Sequence, residues 1–413
     1  MLHPIQGYVH PRFEEVRQVF VENFQLRGEL GASLCVWHRG ERVIDLAGGY
    51  ADLEGTRPWS AESLTTVFSV TKGIVAACYL MLVDRGVISY EDPVARYWPE
   101  LAEEPSEERW RAERRALTIA QLLQHRSGLL GFKEPLSLET LEDESALLER
   151  LEREPLRWAP GDQQGYHGVT FGLYAGALFK KITQRSIGDF IRQEIAQPLN
   201  LDLYLGLTDD EERDLADRLC PIFTNQPRDI VLGVLPELLF KPTVEGRFYR
   251  RAIRRGSDTA LAFGQPAALG ARGLKNFNTA RVRRLELPWS NIQASARAIS
   301  SLYNALLTPG RLVSAEALAR ITPVQSWTES DAVLGKPLGF TLGFMKEETR
   351  LFSPLTSSFG HPGAGGALGW ADPDNQLTIG YLMNRMGYHV RSPRALALCH
   401  AIYRCLDEGD HLS

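Results

Sequence analysis

Strand-like alternation is concentrated at the two ends of this chain, and most of what lies between reads as helix. Near the start, 32–37 and 42–47 read as strands joined at Arg39-Gly40, the pattern of a hairpin. Near the end, Leu377, Ile379, Tyr381 and Met383 alternate onto one face of a strand. A helix is predicted over 13–25, with Phe13, Val16, Phe20 and Phe24 on one stripe, and another over 393–406. Helical spacing recurs at 71–85, closed by Gly86, at 118–124, ended by Ser127-Gly128, and at 169–181, 187–195 and 291–306. The order implies an α+β fold: a sheet drawn from both chain ends, flanked by terminal helices, with a mostly helical region inserted.

A chain of 413 residues that is 44% hydrophobic has enough apolar material for a large core without disulfides or metals. Its five cysteines (35, 78, 220, 399 and 405) form no C-x-x-C pair and sit mostly in apolar surroundings. They read as small buried hydrophobes in a reducing compartment. The opening stretch MLHPIQGYVHPRFEEV has no basic region followed by an apolar run, so the expected address is the cytoplasm. No apolar stretch approaches the ~20 residues that span a bilayer, and no membrane partner is expected. A formal charge of −5 gives no reason to expect a nucleic-acid partner. The nine histidines lack zinc-ligand spacing, so no metal or other cofactor is expected. Oligomeric state cannot be read from the sequence.

The segment from 208 to 288 resists parsing. Within it, 241–284 is basic: Lys241, Lys275 and Arg247, Arg250, Arg251, Arg254, Arg255, Arg272, Arg281, Arg283 and Arg284 stand against Glu245 and Asp258. This is either a solvated surface loop or, functionally, a lid or an anion-attracting rim.

Several hydrolase designs are absent. There is no G-x-S-x-G elbow and no phosphate-binding G-x-x-x-x-G-K-[ST]. The glycine-rich Gly360-His361-Pro362-Gly363-Ala364-Gly365-Gly366 leads into a strand, not into a dinucleotide-binding helix. What remains is Ser69-Val70-Thr71-Lys72, the single S-x-x-K of the chain, at a helix start. With 23 Ser and 8 Lys, about 0.45 such tetrads arise by chance, so the motif alone decides nothing. Its geometry suits catalysis, because residues three apart on a helix share a face and Lys72 can hang beside Ser69. The free N–H and dipole of a helix N-terminus favour an oxyanion formed there. Tyr166, between Gly165 and His167-Gly168, and the turn His361-Pro362-Gly363-Ala364 are the two other elements. Each is by itself compatible with plain packing or turn roles.

Together, in this order, the three elements resemble the serine β-lactamase and penicillin-binding-protein superfamily. The closer likeness is to its class C-like esterases, the family VIII carboxylesterases and related β-lactamase-related serine hydrolases. Ser69-Val70-Thr71-Lys72 matches the S-x-x-K, and Tyr166-His167-Gly168 falls at the Tyr-x-Asn position. His361-Pro362-Gly363 stands where lactamases carry Lys-Thr-Gly and many of these esterases carry His-x-Gly. Leu122-Leu123-Gln124-His125-Arg126-Ser127-Gly128-Leu129, Trp158-Ala159-Pro160-Gly161, Gly369-Trp370-Ala371-Asp372-Pro373 and Met383-Asn384-Arg385-Met386 extend the likeness over roughly 11–403.

The resemblance implies one catalytic unit over 11–403. In it, 1–65 and 286–413 form the α/β part and 66–285 the mostly helical part, with the site between them. It implies a Ser69 nucleophile, with Lys72 and Tyr166 sharing proton transfer, and an oxyanion hole from the N–H groups of Ser69 and Ala364. His361, Gly363 and Gly168 would line the substrate site, and His125 would be structural. Two departures bear on selectivity. Gly168 replaces an amide-binding Asn, at a cost of about 0.5–1.5 kcal/mol for the lost hydrogen bond. His361 replaces a permanent cation with an imidazole whose ordinary pKa is about 6.5, so acidification towards pH 6 is expected to restore charge there. Both changes disfavour anionic amide substrates and leave neutral esters acceptable. The expected function is hydrolysis of short-chain carboxylic esters, a small-molecule substrate class, with weak β-lactam hydrolysis possible. The alternatives are a β-lactamase, a D-amino-acid peptidase, an acyltransferase or a catalytically idle scaffold.

Overall fold

The computed structural model describes residues 4–103, 108–224, 233–236, 243–264, 273–348 and 350–410. A nine-stranded antiparallel sheet forms the body, built from β1 (Ile5–Val9), β2 (Gly31–His38), β3 (Glu41–Gly49) and six later strands. These are β7 (Ser326–Thr328), β8 (Leu338–Phe340), β9 (Met345–Lys346), β10 (Phe359–Pro362), β11 (Leu368–Asp372) and β12 (Leu377–Met383). Their order is β1-β3-β2-β12-β11-β10-β9-β8-β7. The two chain ends meet at the β2–β12 ladder, with Ile379 opposite Val36 and Tyr381 opposite Leu34. A second, three-stranded sheet joins β4 (Thr65–Thr66), β6 (Gln293–Ala294) and β5 (Leu203–Tyr204), with β6 in the middle.

The apolar stripe foreseen near the start folds as α1 (Glu14–Leu26), which buries Val16, Val19, Phe20 and Phe24. Burying each Phe stabilises by about 1.5–3 kcal/mol. α1 packs against the terminal helix α5 (Pro393–Asp410) on the sheet. α2 (Val70–Asp84) is apolar on all sides and buried along nearly its whole length, because it crosses the molecule's centre. It touches β10 and β11 and also α3 (Thr170–Thr183) of the helical region. α4 (Ala296–Leu307) lies over β2, β11 and β12.

Three features differ from the expectations. β1 was not foreseen; Gly7, at φ +114°, lets it lie against β3 where a Cβ would strike the Asp45 carbonyl. The helix expected over 291–306 begins only at Ala296, since Gln293 and Ala294 are β6 and Ser295 caps the helix by accepting from Ala298 N–H. The helix expected over 187–195 is α-helical for Ile187–Phe190 and π-helical over Ile191–Ala196. No helix among the described residues is long and apolar enough to cross a membrane.

Candidate active site

The residue before Ser69 is strained. Phe68 has φ +48°, a region that bulky side chains rarely adopt, and its ring is buried edge-on against Phe277 at 5.5 Å. That turn sets Ser69 at the head of α2, one helical turn from Lys72. Lys72 Nζ lies 3.0 Å from Ser69 Oγ and donates to the Trp289 carbonyl at 3.0 Å. The carbonyl is held there by a turn that buried Asn291 organises: its amide donates to the carbonyls of Val282 and Leu285, and its oxygen accepts from Leu287 N–H. Lys72 is fully buried, and desolvation holds its amine well below the ordinary lysine pKa. A buried neutral amine can accept a proton from a serine hydroxyl.

Tyr166 reaches the same hydroxyl from the other side, its phenol donating to Ser69 Oγ at 3.0 Å. Burial pushes this phenol up, so it stays protonated. Its backbone is pinned by Asp331, whose Oδ1 accepts from the N–H groups of Tyr166, Val333 and Leu334 at 3.1, 3.0 and 2.9 Å. His125, at φ +60° and fully buried, stacks on Phe171 and packs 4.9 Å from the Tyr166 ring. Its Nδ1 accepts from His167 N–H at 2.9 Å, which fits a scaffold role.

Ser69, Tyr166, His361, Gly363 and Ala364 line one cavity of about 410 Å³. β10 delivers His361, whose Nδ1 donates to the Pro362 carbonyl at 2.7 Å. Gly363 N–H is spent on the Ala367 carbonyl at 2.7 Å, whereas the next N–H, that of exposed Ala364, opens a short turn and has no helical partner. Arg394 secures this turn: it donates to the Gly365 carbonyl at 2.8 Å and is paired with buried Glu29 at 2.6 Å. Gly365 is at φ +84°, where a Cβ would press on Met386.

Two expectations are corrected. Gly168 does not line the cavity; the space a side chain would take is filled by the Ala262 carbonyl and the Phe263 ring, 2.9 and 3.1 Å from an ideal Cβ. An Asn therefore has no room there. Acidification to pH 6 does not charge His361 either, since burial and the neighbouring Lys72 push its pKa down to about 3.

The segment that resisted parsing supplies the cavity's apolar wall. Helices Val244–Ile253 and Asp258–Phe263 present Phe248, Tyr249 and Phe263, with Phe263 stacked on the Tyr166 ring at 6.0 Å. Its arginines do other work: Arg247 and Arg251 donate to carbonyls of 331–335, and Arg281, Arg283 and Arg284 pair with acidic residues. Arg250, Arg254 and Arg255 are exposed to solvent, and Lys241 and Arg272 lie outside the described residues. Sequence reasoning missed Asp331, Asn291 and this wall. An Asp preceding the small, apolar run Ala332-Val333-Leu334-Gly335 is a turn signal, but nothing local says that the turn docks on Tyr166.

The Beta-lactamase family profile matches residues 16–401. The chain is 31% identical over 389 residues to the Esterase/beta-lactamase LipL of Mycobacterium tuberculosis, covering 92% of this chain and 83% of LipL. A family VIII carboxylesterase structure superposes with a TM-score of 0.81 at 30% identity, over 97% of this chain and 100% of that one. A penicillin-binding-protein homolog from Caulobacter crescentus superposes with the same score and coverage at 31% identity.

Proposed function

The chain is a serine hydrolase of the beta-lactamase family, and from that premise we propose that it is a carboxylesterase cleaving small carboxylic esters through an acyl-enzyme on Ser69. One observation carries the reading. The Ser69 hydroxyl lies between an amine whose pKa burial depresses and a phenol whose pKa burial raises, 3.0 Å from each. In the proposed sequence Lys72 takes the Ser69 proton as Oγ bonds to the ester carbonyl carbon. The N–H groups of Ser69 and Ala364 stabilise the oxyanion. Collapse breaks the bond to the alkoxide, which receives a proton from Tyr166, and Lys72 returns a proton to Tyr166. Water, activated by the same pair, then releases the acid.

Esters are favoured over amides because neither Gly168 nor neutral His361 offers the group that would bind a substrate amide or carboxylate. The likeness to LipL, an esterase/beta-lactamase, supports keeping weak β-lactam hydrolysis within the reading. The proposal extends to a single catalytic unit over 11–403 with the site between its sheet and its helices, working in the cytoplasm. A fluorophosphonate probe followed by intact-mass measurement tests it: one label is expected on the wild type and none on Ser69→Ala. An unlabelled but folded wild type contradicts it and favours an idle scaffold.

A further inference from the structure

The cavity that holds Ser69 also carries an unusual charge arrangement on its wall. Lys336 Nζ meets Glu348 Oε2 at 2.6 Å, and Arg391 Nε meets Glu348 Oε1 at 2.9 Å. All three line the cavity, with the Lys336 and Glu348 side chains 7% and 6% exposed and Arg391 25% exposed. Removing charges from water is costly, and a well-packed apolar wall would serve an apolar ester at least as well.

The arithmetic of the cluster is uneven. One Glu with one Arg would be neutral, but Lys336 occupies the second oxygen of Glu348, so the trio carries one net positive charge. Glu348 is the single acidic residue lining the cavity among the described residues. Lys346, also on the wall, spends its ammonium on the carbonyls of Thr322 and Ser357. Glu245 meets Arg391 at its backbone N–H, at 3.4 Å, and does not line the cavity. Glu348 fixes the Arg391 guanidinium through Nε, and neither Nη has a hydrogen-bond partner among the described residues. That leaves free the two donors that grip a carboxylate side by side.

Resting on the esterase reading, we propose that the preferred esters have an apolar body ending in a carboxylate, which Arg391 binds while Glu348 and Lys336 orient and balance it. The anion-recognition role that His361 cannot fill would then sit on another wall of the same cavity.

The test uses mono-4-nitrophenyl esters of adipate, suberate and sebacate, each beside the counterpart whose terminal carboxylate is an amide. At the best chain length, the carboxylate ester is expected to have a KM about tenfold lower than its amide, the scale of one charge-assisted pair. Arg391→Ala should bring that ratio to about one, and Arg391→Lys should restore part of it. Equal KM values at every length, or a preference that survives in Arg391→Ala, overturn the inference while leaving the esterase reading intact. Calorimetry of monomethyl suberate on the Ser69→Ala protein reads the subsite without turnover. There, binding that weakens about tenfold on adding Arg391→Ala supports the proposal, and binding indifferent to Arg391 refutes it. Absence of hydrolysis of any ester by the wild type counts against the esterase reading alone.

Discussion

The corner around Ser69 and the rest of the cavity wall are built in contrasting ways. In the corner, burial works against charge on each group: it lowers the Lys72 amine, raises the Tyr166 phenol and pushes the His361 imidazole down to about 3. On the wall, Lys336, Glu348 and Arg391 remain as a charged cluster among aromatic and aliphatic side chains. The corner depends on one helical turn and two short motifs, whereas the wall gathers 248–263, 334–352 and 386–391 from separate parts of the chain. The difference teaches that bond-breaking chemistry can be written locally, while the shape that selects a substrate is a tertiary product. Variants in the corner should therefore act on kcat, and variants in the wall mainly on KM.

The largest effect that would break this division is at the nucleophile. Ser69→Ala should abolish hydrolysis of 4-nitrophenyl butyrate with an unchanged circular dichroism spectrum; more than a few per cent residual activity moves the nucleophile elsewhere. Next, Lys72→Ala and Tyr166→Phe should each lower kcat by ~10²-fold or more, the scale of positioned acid–base groups. The double variant should be little worse than either, since the two act as a unit. Additive losses in free energy would reduce Tyr166 to a packing residue.

Smaller effects sharpen the comparison. Short-chain 4-nitrophenyl esters should exceed nitrocefin in kcat/KM by about tenfold, or ~1.4 kcal/mol. Faster turnover of cephalosporins than of any ester would replace the esterase reading with a lactamase. Phe248→Ala, on the wall, should raise KM for 4-nitrophenyl hexanoate about fivefold through ~1 kcal/mol of lost apolar burial, with a smaller change in kcat. A loss confined to kcat would show that wall and corner are not separable. The smallest expected change is with pH. Because the folded Lys72 pKa is depressed, the rate should fall only as acid protonates its amine. Because His361 stays neutral until about pH 3, the ester-to-nitrocefin ratio should hold between pH 7.5 and pH 6. A ratio that narrows over that interval would show a charged His361.

Much of the scaffold was legible because it is periodic. The 3.6-residue stripe of α1 buries one face, and that burial is visible as spacing, while β2, β3 and β12, buried on both faces, show as short apolar runs bounded by turn residues. Ser69 and Lys72 were legible for the same reason, being three apart on a helix. Tyr166 and His361 were singled out by short motifs that became informative only in combination. Phe68 could not be read, because a bulky residue at positive φ is held there by tertiary packing against Phe277. Asp331 was hidden because its partner, Tyr166 N–H, is 165 residues away in sequence. Gly168 was misread for a related cause. The neighbour that fills its side-chain space, Phe263, comes from a distant part of the chain and meets it only through tertiary packing.

The central claim is that an acyl group passes through Ser69 while Lys72 and Tyr166 move the proton. It is tested most directly by acid-quenching the enzyme during turnover of 4-nitrophenyl acetate and mapping the acetylated peptide by mass spectrometry. The account predicts acetyl on Ser69 in the wild type, slower formation of the same adduct in Tyr166→Phe, and none in Ser69→Ala. Hydrolysis that proceeds with the acetyl group on another residue, or undiminished in Ser69→Ala, would contradict it.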